Sequence, residues 1–256
     1  VSNRQTANRP VWQDRWDELK PAPFKLTREV LPGLFQVRTR GSRAYLVVEH
    51  DITLIDTGNP GSGIRILKAL DEIGRSPEDI KQIVITHYHL DHVGGLPEIQ
   101  NYVPGKTGVH FAEAGQVESH RPLPNPFKHP LLARICEPYL LRQDPGAARV
   151  DVLLKDGDEL PAFGGMRIVH APGHTAGSIS ILFPNRGVLL VGDAKQYKLG
   201  RLMLPSRMFT QDMGEAAESV RKLAALDFDT LCFSHFRPIL TGADRQVREF
   251  AAALVS

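Results

Sequence analysis

The stretch Thr86-His87-Tyr88-His89-Leu90-Asp91-His92 constrains this chain more than any other. Three imidazoles and one carboxylate fall within six residues. Neutral imidazole and carboxylate suit zinc, iron or manganese, and the lack of thiolate speaks against a purely structural zinc site. In an extended chain His87, His89 and Asp91 share one side, because side chains alternate. His92 then points away, so the chain must bend after Asp91, and Gly94 and Gly95 permit that bend. The run 82–86 is apolar and β-branched and reads as a buried strand. The ligands therefore sit just past a strand end, where open α/β sheets place their sites.

The remaining chain supplies three further candidates, each after a strand-like run. His174 follows the run 166–169, Asp193 follows 188–191, and His235 follows 230–234. Taken singly, Asp193 fits a turn and His174 fits a cap or a loop histidine. Their shared position at strand ends joins them to the first cluster.

The rest of the chain reads as α/β layering. Strands are expected over 34–38, 44–49, 52–55 and 107–111. A helix carries Ile64, Leu67, Leu70 and Ile73 on one face and stops at Gly74. Ser76-Pro77 opens another turn. The second half repeats the pattern, with strands over 152–154, 166–169, 178–183, 188–191 and 230–234. Helices are expected over 215–226 and 244–254. Two β-rich halves with flanking helices suggest two facing mixed sheets with helices outside.

Two segments depart from this rhythm. Residues 1–23 form an arm in which Trp12, Trp16 and Leu19 recur at helical spacing. The plain reading is a short helix packed on the body, with a homodimer contact as the secondary one. Within the single domain expected over 24–256, residues 115–148 read as an insertion. Prolines punctuate its start, and one amphipathic helix carries Leu131, Leu132, Ile135, Tyr139 and Leu140. Such a segment suits a lid or a helix that covers core.

Composition narrows the partners. The 256 residues carry a net charge of +2. No basic excess points to nucleic acid or an anionic membrane, and no apolar run is long enough to span a bilayer. Two cysteines, Cys136 and Cys232, lack metal or redox spacing, and a reducing cytoplasm is the expected compartment. His50, His110, His120, His129 and His170 read as surface or structural residues.

The ordered set His87-x-His89-x-Asp91-His92, His174, Asp193 and His235 resembles the metallo-β-lactamase superfamily. Asp56, in Leu54-Ile55-Asp56-Thr57-Gly58, matches an aspartate that supports the site in that family. The resemblance runs from about Leu34 to His235 and implies an αββα sandwich. It also implies that His87, His89 and His174 hold one metal, that Asp91, His92 and His235 hold a second, and that Asp193 bridges them. Two zinc ions are the expected cofactors, with iron, manganese or cobalt as alternatives. A bridging hydroxide would attack the substrate carbonyl, and Asp91 would pass a proton to the leaving group.

The bridging Asp193, the histidine at position 89 and the compact near-neutral chain point toward the small-ester hydrolases of the superfamily. Glyoxalase II-like thioesterases usually have Gly-His-Glu where this chain has Ser234-His235-Phe236. Quorum-quenching lactonases are similar in length and ligand set, and in carrying a tyrosine after the bridging aspartate. Tyr197 is the matching candidate for a catalytic hydroxyl, and Tyr88 a weaker one. The expected substrate is a small ester or lactone with an apolar part, N-acyl-homoserine lactones among them. Two alternatives stand beside it: a glyoxalase II-like thioesterase, and a persulfide dioxygenase with one iron on His87, His174 and Asp193.

Overall fold

The structure is a computed structural model that describes residues 25–119 and 122–254. The arm expected over 1–23, with Trp12, Trp16 and Leu19, lies outside the described residues, as does His120.

Short β-branched runs separated by turns build a seven-stranded sheet in chain order. Its strands are β1 (Thr27–Leu31), β2 (Leu34–Arg38), β3 (Arg43–Val48), β4 (Ile52–Ile55), β5 (Ile80–Ile85), β6 (Lys106–His110) and β7 (Val152–Leu154). The first four pair antiparallel. From β4 onward the pairing is parallel. The switch needs a crossover, which α1 (Gly63–Glu72) supplies between β4 and β5.

A five-stranded sheet faces it, in the order β14 (Thr230–Cys232), β11 (Val188–Leu190), β10 (Ile179–Phe183), β9 (Met166–His170), β8 (Glu159–Leu160). Short helices α3 (Leu96–Ile99) and α4 (Ala114–Glu118) precede and follow β6, and α6 (Met213–Ala224) and α7 (Ala243–Ala253) follow in the second half. Strand alternation divides the core. In β3, Tyr45 and Val47 join Met166, Ile168, Ile181 and Phe183 between the sheets. Their neighbours Ala44 and Leu46 pack outward with Ile66, Leu67 and Leu70 of α1. In β11, Leu189 packs with Leu223 of α6 and Val247 of α7. The layers are therefore helix, sheet, sheet, helix, as the sequence pattern predicts.

Three features depart from the sequence reading. β1 is an edge strand whose Arg28 and Glu29 are exposed, so its apolar alternation is broken. A hairpin of β12 (Gln196–Lys198) and β13 (Arg201–Met203) follows Asp193. The helix within the segment 115–148, α5 (Pro130–Arg142), buries no residue fully. Leu131, Ile135 and Tyr139 on it are exposed. The two ends of the segment 115–148 are pinned where the Ala148 amide donates to the Val117 carbonyl at 3.0 Å, both residues lying in the core.

Candidate metal centre

β5 delivers the first histidine directly. His87 follows Thr86, whose hydroxyl lies 3.1 Å from His87 Nδ1. The chain then turns directly after His89, two residues earlier than the bend expected after Asp91. His89 caps α2 (Leu90–Val93), and this single turn carries Asp91 and His92. Gly94 and Gly95 have ordinary helical φ of −62° and −85°. Their role is close approach: a Cβ on Gly94 would run into the Leu90 carbonyl, and one on Gly95 would meet the Thr57 carbonyl at 2.5 Å.

The structure brings all seven candidate ligands together. His87, His89 and His174 have ring nitrogens within 4.8 Å of one another, and Asp91, His92 and His235 make a second such group. Asp193 lies between them. Its carboxylate is 3.6 Å from His92 Nε2, 3.7 Å from His174 Nε2 and 3.3 Å from His235 Nε2. Asp91 is 3.2 Å from His235 Nε2.

The ring orientation fits a metal. The Nδ1 atoms of His92 and His174 lie 2.8 Å from Asp56 and 3.1 Å from Thr210. The Nε2 atoms of His87, His92 and His174 are buried and have no hydrogen-bond partner among the described residues. A buried polar atom without a partner is costly, and a metal-ligating histidine characteristically anchors its other nitrogen to a neighbour.

The electrostatics agree. Burial holds His89 down to about 3 and lowers His87 and His174, so these rings are neutral and able to ligate. Burial opposes a charge on His92 and His235 as well, yet nearby carboxylates outweigh it: Asp91, Asp56 and Asp193 at His92, and Asp193 and Asp91 at His235. They lift His92 to about 9 and His235 to about 10. Burial alone would raise Asp91 and Asp193, but these neighbouring imidazoles pull both carboxyls below the usual range. The ionised carboxylates thus keep His92 and His235 protonated, and a divalent cation can replace those protons.

Several supporting residues escaped the sequence reading. Glu113, buried after β6, accepts from the amides of Tyr88 and Gly177 at 2.7 and 2.8 Å, and from the Thr175 hydroxyl. It ties the first ligand loop to the loop of His174. Tyr45 donates to the Phe233 carbonyl at 2.7 Å, and Arg43 to the His235 carbonyl at 2.6 Å, so β3 fixes the loop of His235. Asp56, singled out from its motif, also accepts from the Thr86 amide and hydroxyl at 2.8 and 2.9 Å.

The cluster floors a cavity of about 490 Å³ whose wall includes Phe127, Tyr139, Leu140 and Phe209. Leu140 also lines an adjoining cavity of about 250 Å³ between α5 and the residues 122–126. Tyr197 does not face this space. The β12 alternation turns Gln196 and Lys198 to the cavity, and the Tyr197 ring stacks on Phe233 at 5.8 Å. Tyr88 packs in the core, its hydroxyl accepting from Gln211 at 3.0 Å.

Comparison with known proteins places this arrangement. The metallo-beta-lactamase superfamily model matches residues 37–235, and the chain belongs to that superfamily. It is 30% identical over 205 residues to the "Probable metallo-hydrolase YflN" of Bacillus subtilis, covering 74% of this chain and 77% of that protein. It is 32% identical over 171 residues to a "Hydroxyacylglutathione hydrolase" of Cereibacter sphaeroides, covering 66% of this chain and only 52% of that protein. Among solved structures, the metallo-beta-lactamase family protein TTHA1429 of Thermus thermophilus matches with a TM-score of 0.66 at 23% identity. The match covers 89% of this chain and 81% of that one. No helix among the described residues is long and apolar enough to cross a membrane.

Proposed function

We propose that this metallo-hydrolase cleaves small carboxylic esters or lactones with an apolar acyl part, N-acyl-homoserine lactones among them. His87, His89 and His174 would hold one metal ion, and Asp91, His92 and His235 a second, with Asp193 shared between them. Zinc is the expected metal, with iron, manganese or cobalt as alternatives. The observation that carries the reading is the seven-group cluster at the floor of a cavity with an apolar wall. Bound metal would supply a Lewis acid for the carbonyl and a water whose pKa falls from 15.7 to about 7.

The chain's own residues do the rest. Phe127, Phe209 and Leu140 exclude water and seat the acyl part. Asp56 and Thr210 keep His92 and His174 in one orientation. Asp91 lines the cavity beside His235, within reach of a leaving alkoxide that needs a proton.

A thioester substrate is the second reading, favoured by the relatives named hydroxyacylglutathione hydrolase. The chain spans about half the length of those proteins, which leaves their remaining part without a counterpart in the match. An assay of acyl-homoserine lactones, aryl esters and glutathione thioesters side by side decides between the two. Turnover of lactones or aryl esters supports the first reading, and activity on the thioester alone sinks it.

A further inference from the structure

A cavity of about 250 Å³ lies against β1, β2 and β3 and shares no lining residue with the cavity over the metal cluster. Its five charged lining residues are all cationic: Lys25, Arg28, Arg38, Arg43 and Arg237. Overall composition conceals this, because the net charge is only +2.

Two nearby carboxylates among the described residues are engaged elsewhere. Glu72 accepts from the Leu26 and Thr27 amides at 2.9 Å and from the Thr27 hydroxyl. Glu29 accepts from the Gly33 amide at 3.2 Å. Neither lines the cavity. Lys25, Arg28, Arg43 and Arg237 form no ion pair among the described residues. The guanidinium of Arg43 feels the crowding. Burial lowers its pKa first, and Arg38, Arg237 and Arg28 lower it further, against an opposing contribution from Tyr45.

Like charges gathered on one concave surface focus a positive potential that an anion relieves. Arginine forks match the oxygens of phosphate in paired, charge-assisted hydrogen bonds. We propose that Lys25, Arg28, Arg43 and Arg237 form a binding site for a small multivalent oxyanion of the phosphate-ester class. Arg43 joins this site to the metal cluster, since its Nη1 also holds the His235 carbonyl. The proposal does not depend on which ester the other cavity takes.

Titration calorimetry of the metal-loaded protein with glycerol phosphate, at a constant ionic strength of about 0.1 M, tests it. Saturable binding is expected. The double variant Arg28→Gln, Arg237→Gln should weaken it roughly tenfold or more, by loss of charge-assisted hydrogen bonds. Ester hydrolysis should persist in that variant, since neither residue touches the metal cluster's cavity. Lys25→Gln, at a third exposed position, should weaken binding in the same direction. An isotherm unchanged in the double variant means that the ligand sits on the metals, and this overturns the proposal. Absence of saturable binding to the wild type, together with no capture by vesicles, also overturns it.

Co-sedimentation with phosphatidic acid vesicles separates the two sources of the phosphate. Capture that disappears in the double variant assigns a lipid headgroup. Binding of glycerol phosphate without capture assigns a free phosphate ester.

Discussion

The Glu113 carboxylate accepts the Tyr88 amide at 2.7 Å and so holds the centre of the first ligand loop. Its other oxygen holds the Gly177 amide and the Thr175 hydroxyl beside His174. One buried side chain therefore sets the spacing between two parts of the metal cluster. Burial pushes its carboxyl up, against the pull of these donors. Glu113→Ala should cost roughly 3 kcal/mol or more, because it leaves buried donors unpaired. Glu113→Gln should cost less but still weaken metal binding, since its amide presents N–H groups to donors. Urea denaturation and metal titration check both; a Gln variant with wild-type metal affinity would leave Glu113 with a packing role only.

Asp56 stands in a similar relation to His92, at 2.8 Å from its Nδ1. Asp56→Ala should reduce metal affinity by about 10- to 100-fold, the usual effect of losing a partner of a ligating histidine. Asp56 has a positive φ of 58°, which alanine tolerates poorly. Asp56→Asn keeps the backbone preference and an acceptor oxygen, and should recover part of the affinity. Competition with a coloured chelator measures both.

The different fates of these two acids show what the chain reveals before it folds. Asp56 was legible because it belongs to a local motif after an apolar strand. The seven candidate ligands were legible for the same reason, since each closes a strand-like run. Glu113 was not, because its partners at Tyr88 and Gly177 are 25 and 64 residues away. The β1 and β8 edges were hidden because edge strands expose charged residues and lose the alternation. Distance along the chain from Asp193 points to Tyr197 as a site residue. The hairpin that follows Asp193 instead turns its side chain onto Phe233.

His110 offers a pH test away from the ligands. It stacks on His170 at 4.2 Å, and burial first, then His170, hold it down to about 4, against Asp156 and Asp158. An unfolded histidine titrates near 6.5. Between pH 6.5 and about 4 the unfolded chain therefore binds more protons. Stability from this residue is full above 6.5 and falls with pH by at most about 1.4 kcal/mol per unit. His110→Phe should flatten that part of the profile. Urea midpoints at pH 7.5, 6 and 5 test it; a constant gap between the two proteins would refute it.

Metal removal should destabilise the protein. The buried Nε2 atoms of His87, His92 and His174 lose what would satisfy them. A metal present at 1,000 times its Kd contributes about 4.1 kcal/mol. For a chain of this size that corresponds to roughly 8 °C or more in Tm. Calorimetric melting with and without chelator gives the number. Elemental analysis should find about two metal ions per chain, and fewer in Asp193→Ala, if the shared-carboxylate arrangement holds. About one iron per chain would instead favour oxygen chemistry and call for oxygen-uptake assays.

Leu140 is the residue on which substrate choice should turn, because it lines both the cavity over the metal cluster and the adjoining one. An acyl chain long enough to leave the first cavity would pass it. Each methylene buried there is worth about 0.8 kcal/mol, so three displaced into water cost roughly 2.4 kcal/mol. Leu140→Asp should then raise KM for long-chain esters by roughly 50-fold. Acetate esters, which end before the side chain, should change less than about twofold. Such a split is the mark of lost binding that ground state and transition state share. An equal loss on both esters would show that Leu140 supports the cluster itself, and the acyl chain would have to leave by another wall.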